Sequence, residues 1–386
     1  MFSLSGKQGG KVIAVADIGS GSVGVAIIRL ALDGLAHILH SSRAELPLEN
    51  RSAEAVTAAI ISLLGETAQK TLTAYSEKAQ GAKHVESVYA IIHSPWVRSK
   101  TIRAVSRLPQ ETRIEKGVID ALARQALESD TEYDHNKILE ASVIRVELNG
   151  YPTRQPVGKN AHLVAVSALL AECEPSIREG VAEVLAKTFA CPPPTLRSDT
   201  RALLAVMRES TELSGESVIV NMSYEATNIM VIRKGVISET ALVDEGSSSI
   251  VRKISGEKMP EETLTLIRLL TLDQCEDEAC RGIAKAITTI EPGLVKAFGE
   301  VFGKLIITRR LPNILVLSAH EDLAPWLSHL FSRIDFAQFT LTTRPFSPTM
   351  LTLQALSNLT VFQPGVTPDV GLGVGAALVN MEERAS

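Results

Sequence analysis

Apolar positions along this chain follow two rhythms, and their alternation predicts an α/β protein. Residues 11–31 and 35–42 are rich in β-branched and apolar side chains and read as strands. They meet at Asp33-Gly34, a pair that tight hairpins prefer. From Ala53 to Thr73 the spacing becomes helical, with Val56, Ile60, Leu63 and Leu64 on one side. Residues 86–107 read as two strands broken at Ser94-Pro95. An amphipathic helix follows, with Ile114, Val118, Ala121, Leu122 and Leu127 as its apolar face. Strands at 138–149 and 161–170 flank a turn-rich stretch. The helix PSIREGVAEVLAKTF then ends at Pro192-Pro193-Pro194. This β and α alternation between 86 and 190 marks a small subdomain of its own. Further on come a helix at SDTRALLAVMRES, a strand–turn–strand unit at ESVIVNMSYEATNIMVIRKGVISET and a mostly helical stretch to 310. The strand NILVLSA, a helix at 323–331 and a small-residue helix at 371–381 complete the chain. Its small residues predict close packing of that last helix against neighbouring backbone.

Length and composition narrow the class. A chain of 386 residues exceeds one ordinary core, so two or more domains are expected. With only 4% aromatic residues, the cores must be built from Ala, Val, Leu and Ile. A net charge of -5 and a pI near 6.0, with no basic stripe, argue against nucleic-acid binding. The four cysteines form no C-x-x-C pair, and buried reduced thiols of a cytoplasmic protein are expected. No apolar run approaches the ~20 residues of a membrane span. The C-terminal segment lacks the cations of a surface-binding helix, so direct membrane insertion is not expected.

Within KVIAVADIGSGSVGVAIIRL, Gly19, Gly21 and Gly24 spell G-x-G-x-x-G after a strand. That spacing marks dinucleotide-binding turns, and Glu45 falls near the place of a ribose-binding acid. Val23, Val25, Ile27 and Ile28, however, are poor first turns of a helix and predict a second strand. The second half of the chain repeats the unit. At an offset of 204 residues (221 less 17), Asn221 aligns with Asp17, Ile229 with Val25, Val231 with Ile27 and Arg233 with Arg29. A Rossmann domain has no reason for such a copy, whereas two facing related domains do.

Two opposed hairpin turns can clamp phosphates, because glycines and serines let successive N–H groups approach the oxygens. Gly19, Ser20, Gly21 and Ser22 supply one such turn, and Asp17 is placed to hold a hydrated Mg²⁺. A tight Gly-Ser hairpin with an exposed Asp and no ligand fits the same residues. The histidines His37, His40 and His320 lack a partner pattern and read as solvated or capping groups. Trp96 fits either a core position or an exposed contact, and Arg309-Arg310 either a solvated face or a partner surface.

The motif D-I-G-S-G-S-V-G followed by a strand resembles the first phosphate motif of the actin-like ATPases. That superfamily includes actin, DnaK-type chaperones, sugar kinases and the bacterial proteins FtsA and PilM. ILEASVIRVELNGYPTRQPVGKNAHLVAVSALL resembles the FtsA segment of strand, turn and long strand. ALLAVMRES and ALVDEGSSSIVRKI also stand where that family has corresponding elements. The resemblance implies two actin-like, RNase H-type α/β domains facing a cleft, with an inserted SHS2-like α+β subdomain. The implied segments are 1–85 and 171–210 for the first domain and 86–170 for the insertion. For the second domain they are 211–250, a helical subdomain at 251–310, and 311–386 with a return helix. It further implies Asn221, Ser223 and Thr227 in a second phosphate turn, Gly246 and Ser247 in a third loop, and Ser318 and Ala319 beside the base.

Departures from the family pattern matter as much. The acid of the second motif is Asn221 and its glycine is Ser223, while Tyr224 and Glu225 add bulk and negative charge. Leu317-Ser318-Ala319-His320 replaces the adenosine-side glycines, and only Gly246 survives of a Gly-Gly loop. Hydrolysis needs a metal, an in-line water and compensated phosphate charge. Weak or absent ATPase activity is therefore expected, with ATP and Mg²⁺ as uncertain ligands. The expected role is an FtsA-like division scaffold contacting FtsZ-like filaments, at the inner face of the cell membrane through partners. The alternative is a PilM-like adaptor of a pilus platform, and an active kinase-like enzyme is a rival of another class. Self-association into filaments or dimers is expected in the scaffold reading.

Overall fold

The computed structural model describes residues 10–49, 51–78, 84–210, 212–213, 215–256, 258–275, 277–307 and 309–385. Strands β1 (Val12–Ile18), β2 (Ser22–Leu30) and β3 (Ala36–Glu45) form an antiparallel meander. Helix α1 (Ala53–Lys78) carries the chain over to β4 (Ser87–Ile92), which runs parallel to β1. Every residue of β1 is buried, which is why it reads as one unbroken apolar run. The glycines open a strand, so the Rossmann helix expected by the alternative reading is excluded.

Next come β5 (Val97–Arg113), α2 (Lys116–Glu128), β6 (Ile138–Leu148), β7 (Tyr151–Thr153) and β8 (Asn160–Cys173). Their strands form a separate antiparallel sheet ordered β5-β8-β6-β7. The inserted unit thus begins at Val97, because β4, drawn into it from position 86, pairs with β1 in the first sheet. Its helix buries Ile119, Leu122 and Ala126, with Ile114 just before it. Ala121 is exposed and Val118 and Leu127 half-buried, one helical step away from the expected face. The apolar pattern of 114–127 fits two overlapping stripes, and contact with β5 and β8 selects between them.

The chain returns through α3 (Pro175–Phe189) to β9 (Thr195–Ser198), which pairs with β4. Helix α4 (Asp199–Glu209) leads to the second domain, where β10 (Ser217–Met222), β11 (Thr227–Arg233) and β12 (Val236–Val243) repeat the meander. The repeat is faithful in register. Asp17 pairs with Gly24 in β1–β2 and Asn221 with Asn228 in β10–β11, the same positions 204 residues on. The β-bulge falls between Ile27 and Ile28 in the first copy and between Val231 and Ile232 in the second, again at equivalent positions.

Helices α5 (Ser247–Ser255), α6 (Pro260–Thr271) and α7 (Glu278–Leu305) precede β13 (Ile314–Ser318), α8 (Ala324–Phe331) and β14 (Ser347–Met350). Finally β15 (Thr360–Phe362) and α9 (Val370–Ala385) cross back, β15 pairing with β3 and α9 packing on the first sheet. The sheets are ordered β15-β3-β2-β1-β4-β9 and β12-β11-β10-β13-β14, one pattern used twice. The few aromatics are concentrated: Phe298, Phe302, Phe331, Phe336 and Phe346 interlock edge-on or tilted under the second sheet. Two cysteines depart from the expected reduced state, since Cys275 and Cys280 form a disulfide. Asp277 caps α7 between them, and that first turn brings the pair together. Cys173 and Cys191 are free, and burial raises the pKa of each thiol, that of Cys173 to about 12.

Candidate interdomain site

The two sheets face each other across a cleft cavity of about 710 Å³. Asp17, Gly19, Ser20, Gly21, Ser22, Asn221, Ser223, Ser247, Ser318 and Ala319 all line it. Thr227 and Gly246 do not. Thr227 is fully buried and donates its hydroxyl to the Glu245 carbonyl at 2.6 Å. Gly246 packs on the second turn, where a Cβ would stand 2.3 Å from the Tyr224 carbonyl oxygen. Both residues support the loop from behind.

The first turn closes when the Gly19 N–H donates to the Ser22 carbonyl at 3.0 Å. The second closes with the Ser223 N–H donating to Ala226 O at 2.9 Å and the Ser223 hydroxyl to the same oxygen at 2.8 Å. The two turns touch. The Tyr224 ring lies on Gly21, where an added Cβ would be 2.2 Å from a ring carbon. Its hydroxyl reaches across the cleft to donate to the Pro47 carbonyl at 3.1 Å. Beside it, the Glu225 N–H donates to the Ser20 hydroxyl at 3.1 Å. The Tyr224 side chain thereby bridges the two turns, both of which still line the cavity.

The N-terminus of α5 is also committed. Ser247 and Ser248 donate their N–H groups to the carbonyls of Ser223 and Tyr224 at 3.0 and 2.9 Å. The Ser248 hydroxyl donates to the Glu225 carboxylate at 3.2 Å. An internal carboxylate thus sits where a helix N-terminus favours an anion.

Asp17, the expected Mg²⁺ ligand, is engaged on both oxygens. His93 Nε2 lies 2.6 Å from Oδ1, and Arg43 donates to Oδ2 at 2.6 Å. Arg43 also donates to Asp369 Oδ2 at 2.5 Å and to the Ser22 hydroxyl at 2.9 Å. Burial alone would raise the Asp17 pKa. The charges of His93 and Arg43, with their hydrogen bonds, outweigh it and hold the carboxyl well below its ordinary range. For His93, burial works against the charged ring, but the Asp17 charge and hydrogen bond win and raise its pKa. On the other side, Asn221 donates to Asp199 Oδ2 at 2.8 Å, and Thr200 N–H and hydroxyl donate to Asp199 Oδ1. A divalent cation would have to displace a guanidinium from Asp17 and would find an amide at Asn221. In this arrangement Asp17 is the anion of an ion-paired cluster with both oxygens engaged.

His93, Arg43, Asp199, Asp369 and Pro47 carried no motif in the sequence. His93 follows the apolar run of β4 directly, and Asp199 opens α4 after its cap Ser198, but neither signal alone names a partner. His37 is held by Asp33 and Gln363 at 2.7 and 3.0 Å. Trp96 is a core residue whose indole N–H donates to the Thr57 hydroxyl at 3.1 Å. Arg309 lies 3.6 Å from Glu216, and Arg310 donates to the Thr340 carbonyl at 3.4 Å.

No protein-family model and no curated protein matches this chain. Among solved structures, the PilM-PilN type IV pilus biogenesis complex contains a chain similar in fold. That chain aligns at a TM-score of 0.58 and 13% identity, covering 96% of this chain and 98% of its own. The ethanolamine utilization protein EutJ from Carboxydothermus hydrogenoformans aligns at a TM-score of 0.46 and 13% identity, covering 95% and 89%. A protein with actin-like ATPase fold and unknown function from Bacteroides thetaiotaomicron aligns at 0.36 and 9% identity, covering 98% and 99%. Two copies of one sheet order, joined by crossing helices over a cleft, together with the first of these similarities, show that the chain has the fold of the actin-like ATPases.

Proposed function

We propose that the protein is a non-hydrolysing adaptor, PilM-like in role, which binds a partner protein at the membrane-facing platform of a pilus-type machine. One observation carries this reading: Tyr224 lies on Gly21 and closes the two phosphate turns on each other. With Asp17 bound by Arg43 and His93, the groups that would orient a metal and a triphosphate are already spent.

A second groove, of about 1110 Å³, suits a partner segment. It lies between the inserted sheet and the β11–β12 hairpin, where five cations (Lys116, Arg145, Arg154, Arg208 and Lys234) outnumber the three acids Asp120, Glu209 and Glu216 on its lining. Arg208 donates to the Gly235 carbonyl. Burial first, then the charges of Arg201 and Arg145, push its pKa down to about 10. A desolvated guanidinium among like charges favours an acidic occupant. The FtsA-like role is the second reading, supported by the long strand, turn and strand of β6 and β8.

The test is capture of the pilus-platform protein and of an FtsZ tail peptide by the purified chain, with the Arg208→Glu variant in parallel. Capture of the platform protein, lost in the variant, supports the adaptor. Capture of the FtsZ peptide alone transfers the role to division. ATP turnover that vanishes in Asp17→Ala overturns both.

A further inference from the structure

We propose that the interdomain cleft is a receptor for an uncharged, largely apolar small molecule, and that it rejects polyphosphates. This rests on the reading above that the phosphate turns are closed, and adds what the remaining space accepts. The cavity of about 710 Å³ has the size of a small-molecule site. Its wall is largely apolar, with Leu48 and Ile91 from the first-domain side, Leu203 from α4, and Met222, Leu264 and Met350 from the second domain. Four carboxylates border it (Asp17, Glu45, Asp199 and Glu321), and among the described residues no Lys or Arg lines it.

Charge decides against an anion. A triphosphate entering this cleft would lose its water and meet the Glu45, Asp199 and Glu321 carboxylates, while the Arg43 guanidinium is turned to Asp17 and Asp369 and that of Arg252 faces Glu225. The α5 N-terminus, the usual remedy, faces Glu225 and the loop carbonyls instead. Apolar surface carries no such penalty, and the Ser318 and Asn221 side chains at the wall can orient a few polar atoms. A molecule seated there touches both domains and stabilises them together.

The experiment is a fluorescence titration with two naphthalene dyes, neutral prodan and anionic anilinonaphthalene sulfonate, followed by competition with Mg·ATP. The expected result is saturable prodan binding at one site, at least ~10-fold tighter than the sulfonate, and no displacement by Mg·ATP. Leu264→Arg, on the half-buried cleft face of α6, should weaken prodan by at least ~10-fold. Met350→Lys, on β14 of the same cavity lining, repeats the test should the first variant misfold. The proposal is overturned if the sulfonate binds as tightly, if Mg·ATP displaces the dye, if prodan does not bind, or if both folded variants bind it like the parent. Partner capture reports separately, because the basic groove and the cleft share no lining residue.

Discussion

Gly21 and Tyr224 form a contact that only the absence of a side chain permits. A Cβ at position 21 would sit 2.2 Å from the ring, so Gly21→Ala must push the two turns apart. We expect it to destabilise the protein by about 1–3 kcal/mol, the usual cost of overpacking. Tyr224→Ala should relieve most of that cost, so a double-mutant cycle by denaturant unfolding should show a coupling of about 1 kcal/mol or more. Additive effects would remove the contact from the account. His93 makes a second residue-scale test. Its folded pKa is raised above the ordinary 6.5, so its stabilisation is complete below that value and fades as pH climbs through the folded pKa. Asp17 is lowered below 3.8, so its contribution is present above that value and fades as pH falls through its folded pKa. The Tm difference between the parent and His93→Gln should be widest between about pH 4 and 6.5 and narrow as the pH climbs beyond that range. A flat difference would mean that His93 is held neutral.

At the scale of elements, α9 shows why its small residues are where they are. Gly371 passes so close to β1 that a Cβ would stand 2.6 Å from Asp17 Oδ2, and Gly375 would bring one within 2.9 Å of Val15. The sequence predicted close approach to backbone, whereas the neighbours are side chains of β1. Gly371→Ala should disturb the Asp17–Arg43 pair as well as the packing. We expect a loss of about 3–5 kcal/mol if the carboxylate is left buried and unpaired, checked by urea unfolding. A Cβ added at Gly299 on α7 would stand 3.7 Å from its nearest neighbour, the Phe339 ring, and the Ala variant is the control that should be close to neutral. The duplicated hairpin was legible because β1 and β10 are buried throughout, so their apolar runs survive alignment without a gap. The α2 stripe was misread because its register depends on the sheet beneath it.

Across the whole molecule, the two domains share a core. Ile91, Leu203, Leu204, Ile219, Met230, Val316, Leu356 and Leu378 belong to one buried cluster, assembled from both sheets with α4 and α9. The cross-cleft contacts of Tyr224 and Glu225 add a second tie on the open side. Neither tie uses a metal or nucleotide. Addition of EDTA, or of millimolar Mg·ATP, should therefore leave the unfolding transition unmoved. A true ligand at 100 times its Kd would raise stability by about 2.7 kcal/mol, well within reach of calorimetry. Such a rise with Mg·ATP would reopen the site.

The sequence by itself determined the strand-turn-strand unit, its repetition 204 residues on, and the loss of the acid at Asn221. These are local patterns, written in neighbouring residues and in burial that forces apolar runs. It also named ten of the residues that line the cleft, because they sit at strand ends and turns that recur in order. Tertiary structure alone decided what those residues do. Asp17 meets Arg43, His93 and Gly371, which are 26, 76 and 354 positions away in the chain, and no local spacing records such pairs. The same holds for Tyr224 on Gly21: the bulk of the ring is visible in the sequence, but the direction it points is set by the approach of two domains. A carboxylate's role depends on which charges share its burial, and that is a property of the folded cleft.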